Sequence, residues 1–169
     1  MLAHVAEGDF AAAAELLRTD NALPATTGRV CPQEKQCEAV CVRGKKGDPV
    51  AVGWLERFVA DWAMANCEPP LAPQVSTHRR VAVVGSGPGG LAAAGGRARM
   101  GHEVKIFEAL HAAGGVLRYG IPEFRLPKSI VDAEVANLEA LGVTIEVNVI
   151  VGKTITVRQI MDEFDACFI

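Results

Sequence analysis

The sequence predicts an α/β protein in two parts, a helical N-terminal domain followed by a domain built on a parallel sheet. Residues 1 to about 66 carry apolar residues at helical spacing, whereas strand-like and helix-like segments alternate after residue 80. Between the two patterns, residues 66–80 form a polar stretch that contains Pro69, Pro70 and Pro73, which is typical of a linker. We therefore place the two domains at 1–72 and 79–169.

The composition favours a folded, water-exposed protein. Of its 169 residues, 50% are hydrophobic and 22% are charged, and the net charge is -3. No basic run exceeds two residues, which argues against nucleic acid or an anionic membrane as a partner. The first ten residues, MLAHVAEGDF, include Glu7 and Asp9, where a secretory signal would be basic and then apolar. We expect a cytoplasmic protein with no nucleic-acid or membrane partner.

The elements of the first part are helices. The segment DFAAAAELLR is rich in helix-forming residues and has Asp9 in position to cap its start. The segment VGWLERFVADWAMA repeats apolar residues at helical spacing, which predicts a second helix.

The second part alternates strands with helices. We predict strands at 81–84, 103–107 and 143–151 and in the final DACFI, with helices at about 88–100 and 128–141. Thr156 and Gln159 have capping-box spacing for a further helix that ends near Phe164. A strand at the C-terminal end, where a turn and a helix should follow, indicates a truncated fold.

A glycine-rich turn, VAVVGSGPGGLAAA, joins the first strand to the next helix. Gly85, Gly87 and Gly90 fit GxGxxG, in which the first glycine permits a tight turn, the second lets a pyrophosphate approach, and the third allows close helix–strand packing. The helix N-terminus offers N–H groups and a partial positive charge to phosphates. Glu108 ends the next strand, where a carboxylate accepts hydrogen bonds from ribose hydroxyls. This arrangement predicts a dinucleotide site.

The charge of Glu108 narrows the choice of dinucleotide. A carboxylate at this position repels the 2'-phosphate of NADP, so the turn favours FAD or NAD. Spacing alone does not decide between those two. The alternative is that the glycines serve only the turn itself.

Three cysteines, Cys31, Cys37 and Cys41, lie close together in the first part. If the segment from Glu34 onward is helical, Cys37 and Cys41 share one face. Cysteine sulfur suits an iron–sulfur cluster or another soft metal. Zinc is a competing interpretation, although the usual CxxC pairs are absent, and structural thiols are a third.

Several motifs together resemble one enzyme family. The stretches GRVCPQEKQCEAVC, GWLERF, VAVVGSGPGGLAAA, GGVLRYGIPEFRLPK and LGVTIEVNVIVGKTIT are similar to the small, NADPH-oxidising subunit of glutamate synthase. They resemble equally its relatives, the ferredoxin:NADP oxidoreductase flavoproteins and the N-terminal part of dihydropyrimidine dehydrogenase. The resemblance covers nearly the whole chain in order.

The resemblance implies an oxidoreductase with a helical iron–sulfur domain and a partial Rossmann-like FAD-binding domain. NADPH reduces FAD in this family, and two 4Fe-4S clusters carry the electrons away. The implied partner is the large glutamate synthase subunit or another electron-acceptor subunit, and a homo-oligomer is also compatible. The alternatives are a ferredoxin:NADP or dihydropyrimidine dehydrogenase-like reductase and a non-catalytic nucleotide-binding or assembly fragment.

The resemblance also assigns residues. Cys31 and Cys37 match ligands of one cluster, with Glu56 at its non-cysteine ligand, and Cys41 matches a ligand of the other cluster. No catalytic residue is expected from the chain itself, since the flavin performs the hydride chemistry. The residues that match FAD contacts are Gly85, Ser86, Gly87, Pro88, Gly89, Gly90, Glu108, Gly114, Gly115, Val116, Arg125 and Val151.

The chain also departs from the family pattern. The family has four more cysteines upstream and an NADPH domain downstream, so we expect a fragment with incomplete cluster ligands that is inactive alone. Gly95 and Gly96 fall inside the helix that follows the glycine-rich turn. Because a mid-helix glycine costs about 1 kcal/mol relative to alanine, we expect this helix to be weakened or locally repacked.

Overall fold

A computed structural model describes residues 1–66 and 75–169. The chain divides into two compact units, Met1–Glu68 and Pro69–Ile169. Most of the predicted linker, with its prolines, lies outside the described residues. Within the described ranges, no helix combines the length and the apolar character needed to cross a membrane.

The first unit is helical, as predicted. Asp9 caps the second helix by accepting a hydrogen bond from Ala12 N at 3.0 Å. The core is a small cluster in which alanines of that helix pack against Val59 and Ala63. The α-helices of this unit are α1 (Leu2–Glu7), α2 (Phe10–Asp20), α3 (Pro24–Val30) and α4 (Val52–Asn66).

The cysteine segment between α3 and α4 is not an α-helix. It contains only two 3-10 turns, Gln33–Lys35 and Val42–Lys45. The Gln33 carbonyl accepts from both Gln36 N and Glu38 N, at 3.1 and 3.0 Å, a pattern that is incompatible with the i→i+4 ladder of an α-helix. The condition under which Cys37 and Cys41 would share a helix face is therefore not met.

The second unit is a parallel α/β sheet, which confirms the predicted fold class. Its four strands stand in the order β3-β2-β1-β4, and every neighbouring pair is parallel. The elements are β1 (Arg80–Val84), α5 (Pro88–Arg99), β2 (Glu103–Phe107), α6 (Val116–Tyr119), α7 (Lys128–Ala140), β3 (Thr144–Glu146), α8 (Val157–Glu163) and β4 (Ala166–Phe168).

The strand predicted at 143–151 is much shorter than its alternating sequence suggests. Pairing with β2 stops at Glu146, and Asn148 adopts a φ of 62°. Val149 and Val151 instead pack against a core cluster around Phe107 and Ile160. These valines are therefore buried by core packing after the strand has ended. Sequence alternation alone cannot distinguish that arrangement from a longer strand.

Helix α5 runs without interruption through its glycine pair. It extends from Pro88 to Arg99, and Gly95 is among its buried residues. The predicted helix is therefore confirmed, and its small residues allow it to lie close to the sheet.

Candidate functional site

The glycine-rich turn leaves the carboxyl end of β1, which lies between β2 and β4 in the sheet. Gly85 has a φ of +88°, a conformation that side chains disfavour. A Cβ at Gly90 would lie 2.0 Å from the Gly85 carbonyl oxygen and 3.3 Å from Val83 Cγ1. These two glycines are required by the turn and by the packing of α5 on β1.

Gly87 and Gly89 have no such explanation within the chain. A Cβ built at either position meets no atom within 4 Å. Gly87 has an ordinary extended backbone, with φ -66° and ψ 176°, and it precedes α5 without a side-chain cap from the described residues. The surface at the start of α5 is therefore open, and its first N–H groups have no acceptor within the helix.

Glu108 is held at this turn by a buried hydrogen-bond network. Ser86 N donates to Glu108 Oε2 at 2.7 Å, the Ser86 hydroxyl donates to the same oxygen, and Leu110 N donates to Oε1 at 2.8 Å. Ser86 is fully buried and Glu108 is 5% exposed. These donors fix the orientation of the carboxylate at the turn.

The network favours the ionised form of Glu108. Burial acts to raise the pKa of this carboxyl, but the hydrogen bonds from Ser86, Leu110 and Ala109 together lower it below its usual value. The turn therefore presents a negative charge beside the start of a helix.

A second glycine pair closes against the same turn. Gly114 and Gly115 have φ values of 124° and 50°, and a Cβ at Gly115 would lie 2.8 Å from the Gly87 Cα. Gly114 N donates to the Ser86 hydroxyl oxygen at 3.0 Å. Ser86 therefore links the first turn, Glu108 and the second turn. Its side chain points into the protein interior.

The remaining residues matched to FAD contacts are differently placed. Val116 is 56% exposed at the start of α6, and Arg125 is exposed in the loop before α7. Val151 is half-buried and packs on the core cluster around Phe107. Glu108 and the two glycine turns are thus brought together by contacts, whereas Val151 serves the core.

Two cations that sequence reasoning missed hold the segment after the second glycine turn. Arg118 Nε donates to the Ala113 carbonyl at 2.7 Å, and its guanidinium pairs with Asp132. Lys128 Nζ donates to three main-chain carbonyls. The sequence did indicate that Lys128 is unusual, because a lysine at the first position of a helix interacts unfavourably with the helix dipole. Its presence there indicates some other favourable interaction.

The cysteines of the first unit each contact a different group. Cys31 Sγ lies 3.8 Å from Gln36 Oε1, Cys37 Sγ lies 3.9 Å from the Gln33 carbonyl oxygen, and Cys41 Sγ accepts from Val50 N at 3.5 Å. Hydrogen bonds from Val50 N and Arg43 N lower the pKa of the Cys41 thiol, which favours the thiolate.

The hydrogen bonds of Glu56 come from two polar side chains, neither of them a cysteine. Its Oε1 accepts from Asn21 Nδ2 at 2.6 Å and from Thr27 Oγ1 at 2.8 Å, which ties α4 to α3 and to the residue after α2. Across residues 1–66 and 75–169, no three His, Cys, Asp or Glu side chains converge as a metal-binding group. Because a 4Fe-4S cluster takes four cysteine-type ligands, these residues do not form a complete cluster site.

Comparison with known families matches each part of the chain. Residues 1–68 match the family described as dihydropyrimidine dehydrogenase domain II, 4Fe-4S cluster. Residues 83–139 match the NAD(P)-binding Rossmann-like domain, a range that contains both glycine turns and Glu108. The order of the two matches agrees with the two units of the structure.

Curated relatives align with most of the chain. The NAD-dependent dihydropyrimidine dehydrogenase subunit PreT of Escherichia coli O157:H7 is 43% identical over 155 residues, which are 92% of this chain and 38% of PreT. The glutamate synthase [NADPH] small chain of Halomonas elongata is 36% identical, with 98% of this chain and 35% of the relative covered.

A third relative widens the range of reactions. The NADP(+)-dependent formate dehydrogenase subunit beta of Moorella thermoacetica is 36% identical, over 98% of this chain and 26% of the relative. The chain thus spans roughly a quarter to two fifths of the length of these curated relatives. With both domain types matched in order, the chain is related over nearly its whole length to oxidoreductase subunits that include PreT and the glutamate synthase small chain.

Proposed function

We propose that this chain is the electron-entry region of a glutamate synthase-type NAD(P)H oxidoreductase, with FAD bound at the glycine-rich turn. Residues 1–72 would form the iron–sulfur domain and residues 79–169 the FAD domain. The observation that carries the proposal is the open surface at Gly87 and Gly89, where the chain itself gives no reason for a glycine. A pyrophosphate lying against these two residues supplies that reason.

Different residues at the turn would bind different parts of the cofactor. Main-chain N–H groups at the start of α5 would hold the pyrophosphate, and the Glu108 carboxylate would accept a hydrogen bond from a ribose hydroxyl. Ser86 contributes by orienting Glu108, since its own hydroxyl is used within the protein. Val116 and Arg125, both exposed, are proposed to lie alongside the rest of the cofactor, and Val151 near its adenine.

FAD is favoured over NADP by the charge of Glu108. Its hydrogen bonds keep the carboxylate ionised, and an ionised carboxylate repels a 2'-phosphate. The resemblance of the GGVLRYGIP stretch to the flavin branch favours FAD over NAD. Bound FAD would accept hydride and release single electrons, while the chain's share is binding and orientation.

The cysteines are proposed to contribute to iron–sulfur clusters as partial ligand sets. Cys31 and Cys37, with Glu56, would serve one cluster and Cys41 the other, with further ligands from outside the described residues. The lowered pKa of Cys41 supports a ligand role, because the thiolate is the form that binds iron.

The acceptor of the electrons is proposed to be a partner subunit in the cytoplasm, such as a large glutamate synthase subunit. A second candidate is a pyrimidine-reducing partner, which is favoured by the higher identity to PreT, 43% against 36% for the glutamate synthase small chain. Supplying purified candidate partners and following NAD(P)H oxidation would separate the two.

The cofactor proposal is tested by titrating the chain with FAD, NAD and NADP in a calorimeter, with flavin fluorescence as a second readout for FAD. We expect FAD to bind and NADP not to bind. Gly87→Ala should raise the Kd for FAD about tenfold or more, which corresponds to ~1.4 kcal/mol, because the added methyl occupies the space of the pyrophosphate.

The matched control is Gly96→Ala, within the helix that follows Gly87. A Cβ at Gly96 also meets no atom within 4 Å, so both variants add one methyl to open space. Only Gly87 adjoins the turn, so Gly96→Ala should leave the Kd unchanged. Equal effects of the two variants, or tight NADP binding at the turn, would contradict the proposal.

A further inference from the structure

One ammonium group holds the loop that leads from α6 to α7. This loop, residues 120–127, is called the Phe124 loop below. Lys128 Nζ donates to the carbonyls of Leu117 at 3.0 Å, Ile121 at 2.5 Å and Leu126 at 3.1 Å. An ammonium has three donors, so the three carbonyls use all of them.

Lys128 lies at an unfavourable position in its own helix. Lys128 is the first residue of α7, where a cation is unfavourable because it faces the positive end of the helix dipole. The Glu123 carboxylate supplies the negative charge there, accepting from Lys128 N at 3.2 Å to each oxygen. The side chain of Lys128 turns back instead to carbonyls, among them one from the last turn of α6.

The carbonyls held by Lys128 lie on both sides of an exposed tip. Phe124 is 92% exposed and Arg125 is exposed, whereas Leu126 is fully buried. Because the chain is fixed before the tip at Ile121 and after it at Leu126, Phe124 and Arg125 stand on a restrained loop.

A continuous series of contacts connects this loop to the glycine-rich turn. Lys128 holds Leu117 of α6, and Arg118 of the same helix donates to the Ala113 carbonyl. The next residue, Gly114, donates to the Ser86 hydroxyl, which binds Glu108. The ammonium therefore restrains the same segment that flanks Glu108.

We propose that Lys128 is a positioning residue of the dinucleotide site: by holding three carbonyls, it fixes α6 and the Phe124 loop in the arrangement that receives the cofactor. This inference rests on the proposed function, which places FAD along Val116 and Arg125. Lys128 itself would not contact the cofactor. It acts through the backbone that it binds.

The test compares Lys128→Met with Lys153→Met, an exposed lysine in the same unit, in the full chain. The Arg125–Leu126 bond reports on the loop without any cofactor, because trypsin reaches it only when buried Leu126 opens. We expect Lys128→Met to increase the cleavage rate at this bond about tenfold, since charge-assisted hydrogen bonds are the stronger kind. Lys153→Met should leave it unchanged.

FAD titration of the same variants tests the effect on the site. Lys128→Met should raise the Kd for FAD about tenfold, and Lys128→Arg, which keeps a cation and several donors, should recover more than half of that loss on a logarithmic scale. Amide exchange in β1 checks that the sheet of each variant remains folded. A variant with unchanged β1 exchange but weaker binding identifies positioning rather than general stability.

The outcomes separate the two proposals. If the wild-type chain binds FAD and Lys128→Met binds it equally well, the positioning role is overturned while the proposed function stands. If the wild-type chain binds no FAD, the proposed function fails and the role toward the cofactor fails with it. An unchanged tryptic rate at Arg125, or an arginine variant no better than methionine, also overturns the inference.

Discussion

Ser86 is the residue through which the two glycine turns meet. Its main-chain N–H and its hydroxyl both donate to Glu108, and its hydroxyl oxygen accepts from Gly114 N. A buried side chain with all of these bonds made holds Glu108 ionised and in one orientation. The sequence pattern GxGxxG leaves this position free, yet here it carries the connection between turn and carboxylate.

The Glu108 network predicts how stability depends on pH. Because the pKa of Glu108 is lowered in the folded state, its contribution is full above the unfolded value of about 4.3 and is lost as pH falls through the lower folded value. Ser86→Ala should destabilise the second unit by about 1–3 kcal/mol near neutral pH and reduce its loss of stability on acidification. Amide exchange in β1, measured from neutral to acid pH, gives both quantities.

Ser129→Ala serves as the control for that experiment, since Ser129 is exposed in the first turn of α7. It should reproduce the wild-type pH profile. A Ser86→Ala chain with an unaltered acid transition would mean that the hydroxyl does not lower the pKa of Glu108.

At the scale of the element, helix α5 holds glycines that are present for different reasons. Gly90 lies against the Gly85 carbonyl, and Gly87 leaves open surface before the helix. Gly96 lies mid-helix and borders open space, so neither the backbone nor packing requires it. Gly96 is therefore the glycine that we expect to weaken α5, and it can be replaced without a steric clash.

Gly96→Ala should stabilise the second unit by about 1 kcal/mol, because alanine has the better helix propensity and restricts the unfolded chain. Gly90→Ala should instead destabilise it, since its Cβ would lie 2.0 Å from a carbonyl oxygen. Amide exchange in α5 and β1 measures both changes. Destabilisation by Gly96→Ala would mean that this position is packed more closely than the structure indicates.

At the scale of the whole molecule, each unit has its own core. Ala13, Ala14, Val59 and Ala63 form one in the first unit, and a cluster around Phe107 forms one in the second. The proposed FAD site lies entirely within the second unit, and all of its residues except Val151 fall in the range that matches the NAD(P)-binding Rossmann-like domain.

FAD should therefore protect amides unevenly along the chain. At a hundredfold excess over the Kd, a ligand that binds only the folded form adds about 2.7 kcal/mol of stability. We expect slower exchange in β1, in the first turn of α5 and around Gly114, with helices α2 and α4 as the internal reference. Slower exchange confined to α2 and α4 would mean that FAD binds the first unit, which would contradict the proposed site.

The sequence was informative wherever local chemistry dictates the local structure. Asp9 and Thr156 cap the helices whose starts they predicted. Strands β1 and β2 end at the predicted residues, 84 and 107. The alternating valines after Gly142 misled, because Val149 and Val151 pack on the core after the strand has ended. The ligand roles of the cysteines and the identity of the dinucleotide stay predictions.

What the sequence determined by itself was the order of elements, the parallel α/β class and the glycine turn, since periodicity, capping and glycine conformation are local properties. Tertiary structure alone decided that Ser86 faces inward to Glu108, that the cysteine segment is not helical, and that Lys128 binds three carbonyls. Those features depend on which distant backbone groups lack a partner after the chain has folded, and spacing along the sequence does not record that.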